Sequence, residues 1–158
     1  MTKRMNYGKQ APDVLRSMLA FGQAASKGLD PVIAELVKIR ASQINKCAFC
    51  LDLHVKEARK AGESDERIFL LSAWEEVDGL YTDKERAALA LTEAITVLTG
   101  GTSQAGGSGG GFVPDAVYAR AAEHFDEAEL ARLVSTIVAI NAWNRFNVTF
   151  RTPPGGAA

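Results

Sequence analysis

The segment Ile44–Gly62, INKCAFCLDLHVKEARKAG, holds both cysteines of the chain, Cys47 and Cys50, and one of its two histidines, His54. Cysteines at this spacing on a helix need little backbone movement to form a disulfide. If Asn45 caps that helix, Cys47 lies in its first turn and Cys50 follows a turn later. At about 100° per residue, Cys47, Cys50 and His54 then fall within roughly 60° of one another on one face. A helix N-terminus, with its unpaired N–H groups and positive dipole end, favours thiolate over thiol. His54, four residues after Cys50, can exchange protons with that sulfur directly or through one water. A thiolate, a resolving thiol and a proton-transfer group are the parts that thiol-based peroxide reduction needs. The first thiolate attacks the O–O bond and becomes a sulfenic acid, and the second thiol condenses with it to a disulfide.

Other uses of the pair fit less well. A structural zinc site usually takes four ligands, often from two Cys-x-x-Cys pairs. The remaining histidine, His124, is 70 residues beyond His54, so a carboxylate would have to complete the set. Haem attachment needs a histidine directly after Cys50, where Leu51 stands. A thioredoxin-like oxidoreductase needs a βαβ context. Two inert buried cysteines are the remaining alternative, since free cysteine packs well in cores. Redox chemistry without metal or organic cofactor is the leading reading.

The elements that must position these residues read as helix nearly throughout. Val14, Leu15, Met18 and Phe21 recur at helical spacing between Pro12 and about Lys27, and Gly28 closes that run. Asp30-Pro31 is an N-cap followed by proline at the first helical position, where the missing N–H costs nothing. The stripe Val32, Leu36, Ile39 continues to Ile44. The cysteine helix ends at Ala61-Gly62, and a short helix starts from Ser64. Thr82-Asp83-Lys84-Glu85 spells a capping box. Helix returns at Pro114–His124 and from Asp126 to about Asn147; its apolar run Leu130–Ile140 predicts the most buried helix. Gly100–Gly111, GGTSQAGGSGGG, reads as a flexible loop and residues 151–158 as a disordered tail. No strand-like alternation persists, so the expectation is one all-α domain over residues 1–158.

Composition narrows the function classes. At 47% hydrophobic, 23% charged and a net charge of −1, the chain offers no electrostatic footprint for nucleic acid or an anionic membrane. Its N-terminus, MTKRMNYGKQAPD, lacks the apolar core of a signal peptide, and no apolar run is long enough to span a bilayer. A cytoplasmic location is expected, where Cys-x-x-Cys more often serves redox or metal chemistry than stapling.

The segment resembles the Cys-x-x-Cys-x-x-x-His signature of alkyl hydroperoxidase D-like proteins, in the carboxymuconolactone decarboxylase superfamily. That signature includes a glutamate twelve residues before the first cysteine, here Glu35. MNYGKQAP, ELVKIRASQINKCAFCLDLH, SAWEE, KERAALALTEA and INAWNRF extend the resemblance over most of the chain, towards the peroxidase-related branch. The resemblance implies a compact all-helical fold assembled as a homo-oligomer, with dimers, trimers and hexamers among relatives. It implies that Cys50 attacks peroxide, Cys47 resolves it, and Glu35 and His54 relay protons. Electrons would come from an external thiol or dithiol donor. One departure stands out: Phe49 occupies a position where the best-described peroxidase members carry a second histidine, which shortens the relay. Competing functions are a non-catalytic redox-sensing helical oligomer and a decarboxylase-type lyase. The intact cysteine pair argues against the lyase, because relatives with that activity generally lack it.

Several residues also have ordinary structural readings. Lys38 stands three residues after Glu35, so a surface ion pair alone explains the glutamate. His124 reads as structural, and Trp74, Trp143 and Phe146 as core or oligomer-interface aromatics. Asn141, Asn144 and Arg145, on the late helix, are expected to satisfy backbone or subunit contacts rather than bind substrate.

Overall fold

The computed structural model describes residues 2–98 and 112–155. Gly100–Gly111 and the last three residues of the tail lie outside them. Eight α-helices are described: α1 Tyr7–Gln10, α2 Pro12–Ser26, α3 Pro31–Ile44, α4 Ala48–Lys60, α5 Asp65–Leu70, α6 Asp83–Thr96, α7 Asp115–His124 and α8 Glu127–Phe150. A single 3₁₀ turn, Leu71–Ala73, follows α5. No strand occurs among the described residues, as the periodicity predicts.

Local chemistry sets most boundaries. The Asp30 carboxylate accepts from the Val32 and Ile33 N–H groups at 2.9 and 3.0 Å, with Pro31 at the helix start. The Thr82–Glu85 and Asp126–Glu129 pairs both close as capping boxes. Each satisfies two N–H groups that a helix start would otherwise leave unpaired.

α3 runs through the middle of the bundle, packed against α4, α6 and α8, while α2 lies on α8. Leu36, Val37 and Ile39 of α3, Leu71, Leu89 and Leu91 of the α5–α6 region, and Leu133 and Ile137 of α8 make up its core. The most completely buried helix is α6 rather than α8. Nine of the fourteen residues of α6 are buried, against nine of the twenty-four of α8. α6 sits between α3, α7 and α8, so small residues on several of its faces meet neighbours. α8 leaves Val138 and Val148 in solvent despite its apolar composition.

Among the described residues, no helix is long and apolar enough to cross a membrane. Trp74 is buried as expected, and its indole N–H donates to the Glu93 carboxylate at 2.7 Å. The same oxygen accepts from Arg40 Nε at 2.7 Å. Trp143 and Phe146 lie elsewhere: Trp143 lines a cavity, and Phe146 stacks on Tyr7 with ring centroids 4.9 Å apart.

Candidate active site

The cysteine segment begins at the α3–α4 junction. Asn45 ends α3 as its C-cap rather than starting α4, and Lys46 adopts the left-handed backbone at φ 54°. That turn re-aims the chain so that Cys47 itself is the N-cap of α4. Asn45 is drawn away from capping α4 by α8: its Nδ2 donates to Oδ1 of both Asn141 and Asn144 at 2.9 Å. Cys50 follows in the first turn of α4 and His54 one turn on, as the spacing predicts. Both cysteines are free thiols, 1% and 2% exposed, so they are reached only through whatever space adjoins them.

That space is a cavity of about 580 Å³ between the N-terminal segment, α2, α4 and α8. Cys50, His54 and Lys38 line it together with Phe49, Trp143 and Asn147. Cys47 is not among its lining residues. A molecule entering here meets Cys50 before Cys47.

The two thiols titrate as a pair. A hydrogen bond from the Cys50 thiol lowers the Cys47 pKa to about 7, and burial opposes it. The Cys50 N–H, the Asn144 amide and the Phe49 N–H add to the lowering. Cys50 moves the opposite way, because its proton is held by Cys47, burial disfavours its charge, and the Cys47 thiolate repels a second charge. Asn144 and Asn147 work against that rise. In the reduced pair the helix start acts first on Cys47. The first charge settles on the N-cap sulfur, nearest the free N–H groups.

Glu35 serves both partners that its position allows. One carboxylate oxygen meets Lys38 Nζ at 2.6 Å and the other His54 Nδ1 at 2.8 Å. Burial pushes the Glu35 carboxyl up, but the hydrogen bond to His54 and the charge of Lys38 outweigh it and hold the group below its ordinary range. An ionised carboxylate can only accept, so Nδ1 of His54 must carry the hydrogen. Nε2 is left free to exchange a proton.

Since the folded-state pKa of Glu35 is depressed, its ionised form contributes stability above the unfolded carboxylate's titration near pH ~4.3. That contribution disappears as pH falls through the folded value. The difference in melting temperature between wild type and Glu35→Gln is expected to be largest at neutral pH and to shrink below about pH 4. Thermal melts across that range check this.

Asn147, on α8, was not apparent from the sequence. Its Nδ2 lies 3.5 Å from Cys50 Sγ. No local pattern could have revealed it, because the contact spans 97 residues. Of the late-helix residues, Asn141 and Asn144 join the polar network to Asn45, Ser42 and Thr96. Arg145 bonds back to Asn141. His124 ends α7. Among the described residues, no group of three or more His, Cys, Asp or Glu side chains is placed to hold a metal ion.

Comparison with known proteins agrees with this architecture. The uncharacterized protein YdfG of Bacillus subtilis is 39% identical over 149 residues, covering 94% of each chain. The uncharacterized protein YnjA of Escherichia coli is 36% identical over 129 residues, which span 81% of this chain and 64% of that one. A crystal structure from Agrobacterium tumefaciens superposes with a TM-score of 0.86 at 36% identity, covering 99% of this chain and all of the other. That protein is described as one of unknown function and a candidate antioxidant defence protein AhpD. The debrominase Bmp8 shares the fold alone, at TM-score 0.75 and 15% identity over 94% of this chain and 74% of that one. The family profile described as "Carboxymuconolactone decarboxylase family" matches residues 12–94, the stretch that carries Glu35, both cysteines and His54.

Proposed function

The chain belongs to the carboxymuconolactone decarboxylase family, and we propose that within it this protein is a thiol-dependent reductase of peroxides. The observation that carries the reading is that Cys50 and His54 line one cavity, with Cys47 buried in the same cluster as Cys50 and Glu35 holding His54. The description of the A. tumefaciens protein as a candidate antioxidant protein points the same way.

In this reading, peroxide enters the cavity and meets Cys50. The pair's one proton shifts across the S–H···S contact to Cys47, leaving Cys50 as the thiolate. Its sulfur forms a bond to one peroxide oxygen while the O–O bond breaks, and the departing oxygen takes a proton relayed by His54. Cys50 is then a sulfenic acid. Cys47, whose thiol ionises readily at the N-cap, attacks that sulfur; the S–S bond forms and the hydroxyl leaves as water. The dithiol has lost two electrons and the peroxide has gained them. An external thiol or dithiol restores the pair by exchange. The reducing cytoplasm is the compartment where such donors are at hand. We also propose a homo-oligomer with helix-on-helix interfaces, a reading favoured by exposed apolar side chains such as Leu19, Phe69 and Tyr118.

One equivalent of peroxide is expected to convert the reduced protein to an intramolecular disulfide. Mass spectrometry should show the loss of two hydrogens within the peptide containing Cys47 and Cys50. Free thiols that persist under those conditions would remove the redox reading. Continued peroxide consumption with a dithiol reductant separates a working enzyme from a sensor, which would oxidise once and stop.

A further inference from the structure

We propose that Asn147 is a catalytic residue of this centre: its amide N–H binds the Cys50 sulfur and stabilises the negative charge that sulfur carries as it attacks. The proposal rests on the peroxide-reductase reading for its role in turnover, though not for its effect on the thiol.

The orientation of the amide follows from its neighbours. Nδ2 of Asn147 donates to the Trp143 carbonyl at 3.0 Å, one turn back on α8. A backbone carbonyl only accepts, so nitrogen rather than oxygen must occupy that position. One N–H is thereby anchored to the helix, and the second is available to Cys50, whose Sγ lies 3.5 Å from Nδ2. The side chain is enclosed, with the residue 6% exposed, so water competes little for the N–H. Asn144, one turn earlier, is tied to Asn45 and Ser42 at 2.9 and 3.0 Å and backs the same two sulfurs.

An N–H donor discriminates between the two forms of a thiol. It binds a thiolate as a charge-assisted hydrogen bond and a neutral thiol only weakly. When the pair's proton moves to Cys47, the charge appears on the sulfur that Asn147 faces. Asn147 also lines the cavity beside Cys50. It therefore remains next to the attacking sulfur throughout its contact with peroxide. A structural reading of Asn147, as a helix side chain satisfied by Trp143, predicts no effect on the titration of Cys50.

The test isolates Cys50. In the Cys47→Ser chain it is the only thiol, and its thiolate can be titrated by ultraviolet absorbance and by the pH dependence of iodoacetamide alkylation. Adding Asn147→Leu, which has the same branched outline but no donor, should raise the midpoint by roughly one pH unit. Isosteric Asn147→Asp should raise it further, since a carboxylate repels the thiolate. Circular dichroism and melting establish that each variant is folded, and the aspartate variant serves if the leucine variant is not. With both cysteines present, Asn147→Leu should slow peroxide oxidation at neutral pH by about tenfold and move its alkaline rise up by the same interval. An unchanged Cys50 midpoint in a folded variant overturns the assignment, even if wild type reduces peroxide. A raised midpoint in a protein that reduces no peroxide sustains the Asn147–Cys50 bond and defeats the peroxidase reading instead.

Discussion

Cys50→Ser is expected to lower steady-state peroxide consumption to less than about a thousandth of wild type, the scale on which removing a nucleophile acts. Serine keeps the size of the side chain, but its hydroxyl is not ionised near neutral pH and cannot attack the O–O bond. Cys50 is only 2% exposed, but serine fits the same space and the Asn147 amide beside it can donate to the hydroxyl, so the change should leave the fold intact. Cys47→Ser should behave differently. Its Cys50 can still attack once, giving a sulfenic acid with no resolving partner, which a dimedone-type reagent would trap. The two variants therefore test an internal tension of the site. The resting charge favours Cys47, while access from the cavity favours Cys50. Peroxide consumption surviving in Cys50→Ser, with a trappable sulfenic acid on Cys47, would transfer the attack to the N-cap sulfur.

His54→Ala is expected to slow oxidation by roughly 10²–10⁴-fold, the usual span for a general acid–base group. Glu35→Gln should act through the same histidine. The carboxylate requires hydrogen on Nδ1, whereas an amide can either donate or accept and so permits the other tautomer. Glu35→Gln should thus also lower the rate and should change its pH profile while preserving the fold. Stopped-flow oxidation from about pH 5 to 9 spans the histidine and thiol titrations and checks both variants. A wild-type-like profile in Glu35→Gln would reduce Glu35 to a partner of Lys38. It would leave Cys47, Cys50 and His54 as the working set.

Much of this protein was legible in the sequence because the determining interactions are local. The Asp30-Pro31 start of α3 and the Thr82–Glu85 box of α6 are each made by residues a few positions apart. Helical periodicity likewise placed Cys47, Cys50 and His54 along one short helix. The glutamate came from family resemblance. Its partnership with His54 is a contact between helices, made across 19 residues when α4 folds back on α3.

Other features depended on which helices became neighbours. Composition singled out α8 as the most buried helix, yet burial is set by the number of covered faces, and α6 lies between three helices. Asn45 is a good capping residue by type, but two asparagines of α8 claim its amide, leaving Cys47 to cap α4. As the N-cap, Cys47 is lowered by the Cys50 thiol and, to a smaller extent, by the Cys50 and Phe49 N–H groups at the start of α4. The cavity and Asn147 belong to tertiary structure altogether. They arise where α8 crosses the start of α4, and their chemistry depends on a sulfur and an amide brought together from opposite parts of the chain.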